Sequence, residues 1–269
     1  MPRRWPSPTS PGAAGQCLRS GPPPGWHPPP AGGNRPGCAK ETGTPASRPA
    51  ARAAGSGSRM GLGQPKQYLK IHKQTFIERV IRVFENISHV DSIHIALHPK
   101  DDMWNTLNLS LSSKVSTHYC GGDSRAKTVL NTLETIKKHT DENDWILVHD
   151  AARPGIQEKD VIHLIETLKN DPVGGLLAYP IADTIKKSDK EDRVIDSPVR
   201  DHLWQAQTPQ MYRYRMLTEA LKSFDGIPTD ESQAIESLGM KPKLIKGDFR
   251  NFKVTYQEDL NILEHLITE

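Results

Sequence analysis

One stretch restricts the fold of this 269-residue chain more than any other: Trp145-Ile146-Leu147-Val148-His149-Asp150-Ala151-Ala152-Arg153-Pro154. Four bulky residues in succession suit a strand buried on both faces, as in a parallel sheet covered by helices. The chain then turns polar at the carboxyl end of that strand, which is where open α/β sheets hold their ligands. Asp150 has the chemistry to hold a hard cation there, Arg153 can fork onto a phosphate, and Pro154 stops the strand. The same residues also suit an ordinary strand end whose acid and base pair with each other or cap the next helix.

Around this stretch, strand and helix patterns alternate. Thr75 to Asn86 reads as a helix, with Thr75 and Glu78 as a capping box and Ile77, Val80, Ile81 and Phe84 on one face. Ser92 to His98 alternates like a strand, Asp101 to Leu111 suits a short helix, and Lys114 to Cys120 a strand. Val129, Leu130, Leu133 and Ile136 mark a further helix, as do Val161, Ile162, Leu164, Ile165 and Leu168, and Gly174 to Ile181 another buried strand. Such alternation with short loops means an α/β fold, a mostly parallel sheet with helices on both faces. Residues 182 to 202 break the rhythm with two short segments around Ser188-Asp189-Lys190-Glu191-Asp192, a β-hairpin too polar to be core. The hairpin must project into water or lie on a partner, with Thr184 and Arg200 near its base. Trp204 to Gln210 reads as a strand ending in a Thr-Pro turn, and Met216 to Phe224 as a helix. Thr229-Asp230-Glu231 opens another helix with acids in its first turn, and Glu231 reads as part of that start. After a short strand at Leu244-Ile245, Thr255 and Glu258 form the capping box of the last helix.

Residues 1–59 carry thirteen of the 22 prolines, with no Ile, Val, Phe or Tyr. A segment so poor in apolar residues cannot offset the entropy of ordering, so it is expected to be disordered. It also holds eight Lys or Arg against one acid, a charge of +7. The chain total of +3 therefore leaves −4 for residues 60–269, and the basic balance gives no case for nucleic-acid binding by the domain. Cys17, Cys38 and Cys120 offer neither a disulfide framework nor metal-ligand spacing. No apolar run reaches the roughly 18 residues of a membrane span. A cytoplasmic location is the expectation, with organelle targeting by the arginine-rich start as the alternative.

Three places could hold anions. Ala53-Ala54-Gly55-Ser56-Gly57-Ser58-Arg59-Met60 is a run of small residues that lets backbone N–H groups approach an anion, with Arg59 and Lys66 adding charge; it also suits a linker. Gly121-Gly122-Asp123-Ser124-Arg125 feeds a helix N-terminus where Thr128 presents a hydroxyl, or is an ordinary turn. Lys253, within Asn251-Phe252-Lys253-Val254-Thr255, is either a snorkelling surface lysine or a fixed phosphate ligand.

Taken in order, with Pro65-Lys66-Gln67-Tyr68 and Gln207-Thr208-Pro209-Gln210, these motifs resemble the 2-C-methyl-D-erythritol 4-phosphate cytidylyltransferases of isoprenoid precursor synthesis from about Ala53 to Glu269. The resemblance implies a Rossmann-like nucleotide-diphospho-sugar transferase fold. It implies transfer of CMP from CTP to a sugar-alcohol phosphate with Mg²⁺ or another divalent cation, in a homodimer joined through the hairpin arm. By resemblance, Ala53, Ala54, Gly55, Ser56 and Gly57 cradle the triphosphate, and Arg59 and Lys66 stabilise the α-phosphate. Gly122, Asp123, Thr128 and Ala151 read cytosine and ribose, and Asp150 is the metal ligand. Arg153, Thr184, Arg200 and Lys253 contact the acceptor, the first three reaching it from the neighbouring subunit through the arm, and Arg200 and Lys253 also join Arg59 and Lys66 as catalytic cations. The related ribitol-5-phosphate cytidylyltransferases share the motifs, and a catalytically silent nucleotide-binding or scaffold protein is the rival of another class.

The family begins with an apolar strand running into Pro-Ala-Ala-Gly. Here Thr44 to Arg52 contains no strand-forming run, and Arg52 stands in the place of the proline. The first strand is therefore expected to be missing, with residues 1–52 a disordered segment and 53–269 the catalytic domain.

Overall fold

The computed structural model describes residues 64–267 and the backbone of residues 47–52. In chain order the elements are β1 (Ser47–Arg52), β2 (Lys70–Ile71), β3 (Gln74–Thr75), α1 (Phe76–Glu85), β4 (Ile93–Ala96), β5 (Val115–His118), α2 (Arg125–Ile136), β6 (Trp145–Asp150), α3 (Glu158–Leu168), β7 (Gly174–Pro180), β8 (Lys187–Ser188), β9 (Val194–Asp196), β10 (Trp204–Arg213), α4 (Tyr214–Ser223), α5 (Glu231–Ser237), β11 (Lys243–Lys246) and α6 (Gln257–Leu266). Seven strands form one sheet in the order β11-β7-β10-β6-β1-β4-β5. All neighbours are parallel except β10, which runs antiparallel to both β6 and β7.

All six residues of β6 are buried, and they alternate between two cores. Trp145 and Leu147 pack with α1 and α3 through Ile77, Phe84, Leu164 and Leu168. Ile146 and Val148 pack on the other face with Leu133 of α2, Leu217 of α4 and Ile235 of α5. A period of two sends neighbouring side chains to opposite faces, so an unbroken apolar run is what a doubly covered strand requires. Half of the expected capping box at α1 forms: Thr75 Oγ1 accepts from the Glu78 N–H at 3.3 Å, while the Glu78 carboxylate pairs with Arg82. No helix among the described residues is long and apolar enough to cross a membrane.

The strand expected to be missing is present. Ser47–Arg52 lies mid-sheet, parallel to β6 from Ser47 opposite Trp145 through Arg52 opposite Asp150. Pro49, having no N–H for a ladder, argues against a central strand. Pairing with β4 begins only beyond it, at Ala50 opposite His94. The segment is paired on both sides, with β4 and with β6, and that context outweighs intrinsic preference. The expected segment boundary after residue 52 is corrected to that extent: residues 47–52 belong to the sheet, and the rest of the Pro-rich segment, 1–46, lies outside the described residues.

Smaller expectations also shift. Within 101–111 only Trp104–Leu107 is helical, as a single 3₁₀ turn. β10 does not stop at its Thr-Pro pair but runs on to Arg213, with the ladder shifting register between Ala206 and Gln210, where a proline is tolerated. The last helix is capped by Asp259, whose Oδ2 accepts from the Thr255 and Tyr256 N–H groups at 2.7 and 2.9 Å, rather than by Thr255 with Glu258.

Candidate active site

Asp150 ends β6 with its side chain 7% exposed and both carboxylate oxygens occupied by cations. Arg125 Nε donates to Oδ1 and Lys253 Nζ to Oδ2, each at 2.9 Å. Arg125 opens α2, whose cap is Ser124, and Lys253 lies before α6; the two meet on Asp150. The Val254 N–H donates to the Ala152 carbonyl at 2.9 Å, which sets Lys253 beside the loop that follows Asp150. A Cβ on Gly155 would fall 2.0 Å from the Arg250 carbonyl oxygen, so only glycine lets these two loops approach so closely.

Lys66 reaches the loop that carries Lys253, its ammonium donating to the Val254 and Thr255 carbonyls at 3.3 and 2.8 Å. Arg153 sits in the loop after Asp150, its guanidinium donating to the carbonyls of Asn251 at 2.9 Å and Ala206 at 3.2 Å. Arg153 is thus not carried by the arm: it follows Asp150 by three residues, and its N–H turns back onto the Asp150 carbonyl. Burial alone would push the Asp150 carboxyl up, but Arg125, Lys253 and Arg153 more than offset it and hold the group well below the usual carboxylate range.

His149, fully buried, braces Asp150 from behind. Its Nε2–H donates to the Arg153 carbonyl at 3.3 Å, so its Nδ1 accepts from the Thr208 hydroxyl at 3.0 Å. Thr208 Oγ1 in turn accepts from the Asp150 N–H at 3.1 Å. The relay requires a neutral ring, and burial pushes the imidazole down to about 4 despite the neighbouring carboxylate.

The residues singled out from sequence that the structure describes divide into three groups. Lys66, Asp150, Arg153 and Lys253 converge on the carboxyl end of β6, with Ala151 buried in the same turn. Gly122 and Thr128 shape their own turn: the Gly122 N–H donates to Thr128 Oγ1 at 3.0 Å, and the hydroxyl donates to the Ser124 carbonyl at 2.9 Å. Thr128 is 0% exposed, so its hydroxyl organises the turn from within instead of presenting itself, while Asp123 is exposed. Thr184 and Arg200 lie on the exposed arm, Arg200 donating to the Ala182 carbonyl. Ala53, Ala54, Gly55, Ser56, Gly57 and Arg59 lie outside the described residues.

Two residues were missed. Arg125 bridges Asp150 to Glu231, which is 0% exposed and far from a mere helix start. A signal existed for Glu231: it shares a helical face with Ala234 and Ile235, both 0% exposed, and a buried acid demands a cation. Nothing in the sequence identifies the cation as Arg125, 106 residues away.

A family model for 2-C-methyl-D-erythritol 4-phosphate cytidylyltransferase matches residues 50–269. The chain belongs to that family. Curated members include one from Nitrosomonas eutropha, 44% identical over 220 residues that span 81% of this chain and 94% of the relative. One from Nitrosospira multiformis is 46% identical over 219 residues, 80% and 94% of the two chains. Among solved structures, a 4-diphosphocytidyl-2C-methyl-D-erythritol synthase superposes with a TM-score of 0.73 at 34% identity, covering 82% of this chain and 99% of its own. The Francisella tularensis cytidylyltransferase gives 0.70 at 29% identity, covering 82% and 100%. The family match starts at residue 50, within β1.

Proposed function

We infer that this protein transfers CMP from CTP to 2-C-methyl-D-erythritol 4-phosphate and releases pyrophosphate. The observation that carries the reading beyond family membership is the gathering of Arg125, Arg153 and Lys253 around Asp150 at the end of β6, with Lys66 on the carbonyls of Val254 and Thr255 next to Lys253. An oxygen of the acceptor phosphate attacks the α-phosphorus of CTP. A new P–O bond forms as the bond between the α-phosphorus and its bridging oxygen breaks, and the electron pair leaves on pyrophosphate. The second pKa of a phosphate monoester is about 6, so the nucleophile is already ionised and no general base is required. What the site must do is align two anions and neutralise their repulsion. Lys66 and the loop of Ala53 to Arg59 serve the triphosphate, Lys253, Arg153, Thr184 and Arg200 the acceptor, and Gly122, Asp123 and Ala151 the nucleoside.

Asp150 fits a divalent cation of the Mg²⁺ type. Among the described residues no cluster of three or more His, Cys, Asp or Glu could hold a metal by itself. A single ionised carboxylate is nevertheless the usual protein share of a site completed by water and substrate phosphates. Such an ion neutralises developing charge on the phosphates when bound. The arm supports a homodimer: Val194, Ile195 and Val199 are 61%, 59% and 76% exposed, an apolar edge that a second copy would cover. Pyrophosphate release from CTP, with and without Mg²⁺, on 2-C-methyl-D-erythritol 4-phosphate and on ribitol 5-phosphate is the deciding assay. Turnover of the first is expected; turnover of the second alone gives the related activity, and turnover of neither points to a silent binding protein.

A further inference from the structure

The planar guanidinium of Arg125 holds two acids that the chain supplies from distant places. Its Nε is on Asp150 Oδ1 and its Nη1 on Glu231 Oε1. The remaining nitrogen, Nη2, shares with Nε the edge that forks onto a carboxylate, yet it is buried and has no partner among the described residues. The fork onto Asp150 is therefore half closed. Asp150 Oδ2, which Nη2 could take, is instead held by Lys253, whose side chain is 46% exposed against 14% for Arg125.

Glu231 has no role in its own helix that would explain its burial. α5 is capped by Asp230, whose Oδ1 accepts from the Gln233 N–H at 2.9 Å. Gln210 of β10 fixes the same turn, accepting from the Ser232 N–H at 2.9 Å and donating to Asp230 Oδ2 at 3.0 Å. Gln210 itself lies opposite Val148 in the ladder, two residues from Asp150. The Glu231 carboxylate is thus held against the sheet on a rigid mount; among the described residues its Oε1 is taken by Arg125 and its Oε2 is buried without a partner.

We propose that Glu231 is a positioning residue for this reaction: by tethering Arg125 it keeps the guanidinium on one oxygen of Asp150, so that the other oxygen exchanges from Lys253 to the arriving divalent cation. The proposal rests on the reading of Asp150 as that cation's ligand. Lys253, long, half-exposed and, among the described residues, tied only to Asp150, is the cation that yields, and its release puts an ammonium where the phosphates arrive. Partners that orient a metal ligand cost about 10- to 100-fold in metal affinity or activity when removed.

The test uses the full chain and the variants Glu231→Gln, Arg125→Gln, Arg125→Lys and the double variant Glu231→Gln/Arg125→Gln. Mn²⁺ binding with CTP and no acceptor is read from the free-ion paramagnetic resonance signal, beside the Mg²⁺ dependence of pyrophosphate release. Glu231→Gln is expected to weaken Mn²⁺ binding and raise the half-saturating Mg²⁺ concentration about 10-fold or more, with KM for the acceptor phosphate unchanged. In the Arg125→Gln background, adding Glu231→Gln is expected to change neither. Arg125→Lys keeps the charge but cannot span both acids, so it should reproduce the Glu231→Gln loss and carries the test if Glu231→Gln fails to fold. Ion binding unchanged in Glu231→Gln or Arg125→Lys, or an equal Glu231→Gln loss in both backgrounds, overturns the proposal. The underlying reading fails differently: the unaltered chain would release no pyrophosphate, or Asp150→Asn would bind Mn²⁺ as tightly as the unaltered chain.

Discussion

The floor of the site and the hairpin arm are built on opposite terms. β6 is buried in all six positions and its terminal acid is held by Arg125, Lys253 and the His149–Thr208 relay. β8 and β9 are exposed in all five positions, including Val194 and Ile195. Charge that must stabilise a transition state has to be fixed in advance in a site shielded from water, which only a packed sheet provides. An arm whose apolar residues face water has no such need until something covers them.

The contrast predicts that floor substitutions cost stability and rate, and arm substitutions only assembly and what depends on it. Arg125→Ala would leave Asp150 and Glu231 buried without their shared cation, and a urea unfolding series should show a loss of about 3–5 kcal/mol. A loss under about 1 kcal/mol would mean the floor is far wetter than its burial implies. Lys253→Ala removes the more exposed cation, so folding should survive while kcat for pyrophosphate release falls on the order of 10² to 10³.

Acid should attack the floor through His149. Its folded pKa of about 4 lies below the ordinary 6.5. Above pH 6.5 both states are neutral and the stabilisation is complete; as pH falls from 6.5 toward 4 only the unfolded chain takes the proton, so stability drops. A gap of that size corresponds to about 3 kcal/mol. Urea midpoints at pH 7.5 and 4.5 measure it, and His149→Gln should remove that part of the difference. Thr128→Val, which deprives the Gly122 N–H of its acceptor, should cost about 1 kcal/mol. Smallest in stability is Val199→Asp on the arm, expected within about 0.5 kcal/mol for the isolated chain. Sedimentation velocity should nonetheless show the dimer lost, and an unchanged dimer would leave the exposed edge without its proposed cover.

The cost of reading each part from sequence follows the same division. Local chemistry spelled out α1, whose Thr75 cap and apolar face both lie within ten residues, and β6, whose run of bulky residues admits a doubly covered strand. It failed where the decisive partner was remote. β1 has an unpromising composition and is a strand because β4 and β6 present paired backbone on both sides of it. The resemblance alone links Arg153 with the arm, and only the fold shows its N–H turning onto the Asp150 carbonyl in the loop after β6.

By itself, then, the sequence determined an α/β sheet, a polar strand end at Asp150, and a set of cations suited to phosphates, because residue type and short-range period carry that information. Only the tertiary structure decided which cations meet Asp150, that Glu231 is buried behind Arg125, and that an unpromising segment fills the place between β6 and β4. Those outcomes depend on charges and backbone groups brought together across 25 to 106 residues. Over such separations burial and pairing are settled by packing, and no local pattern records them.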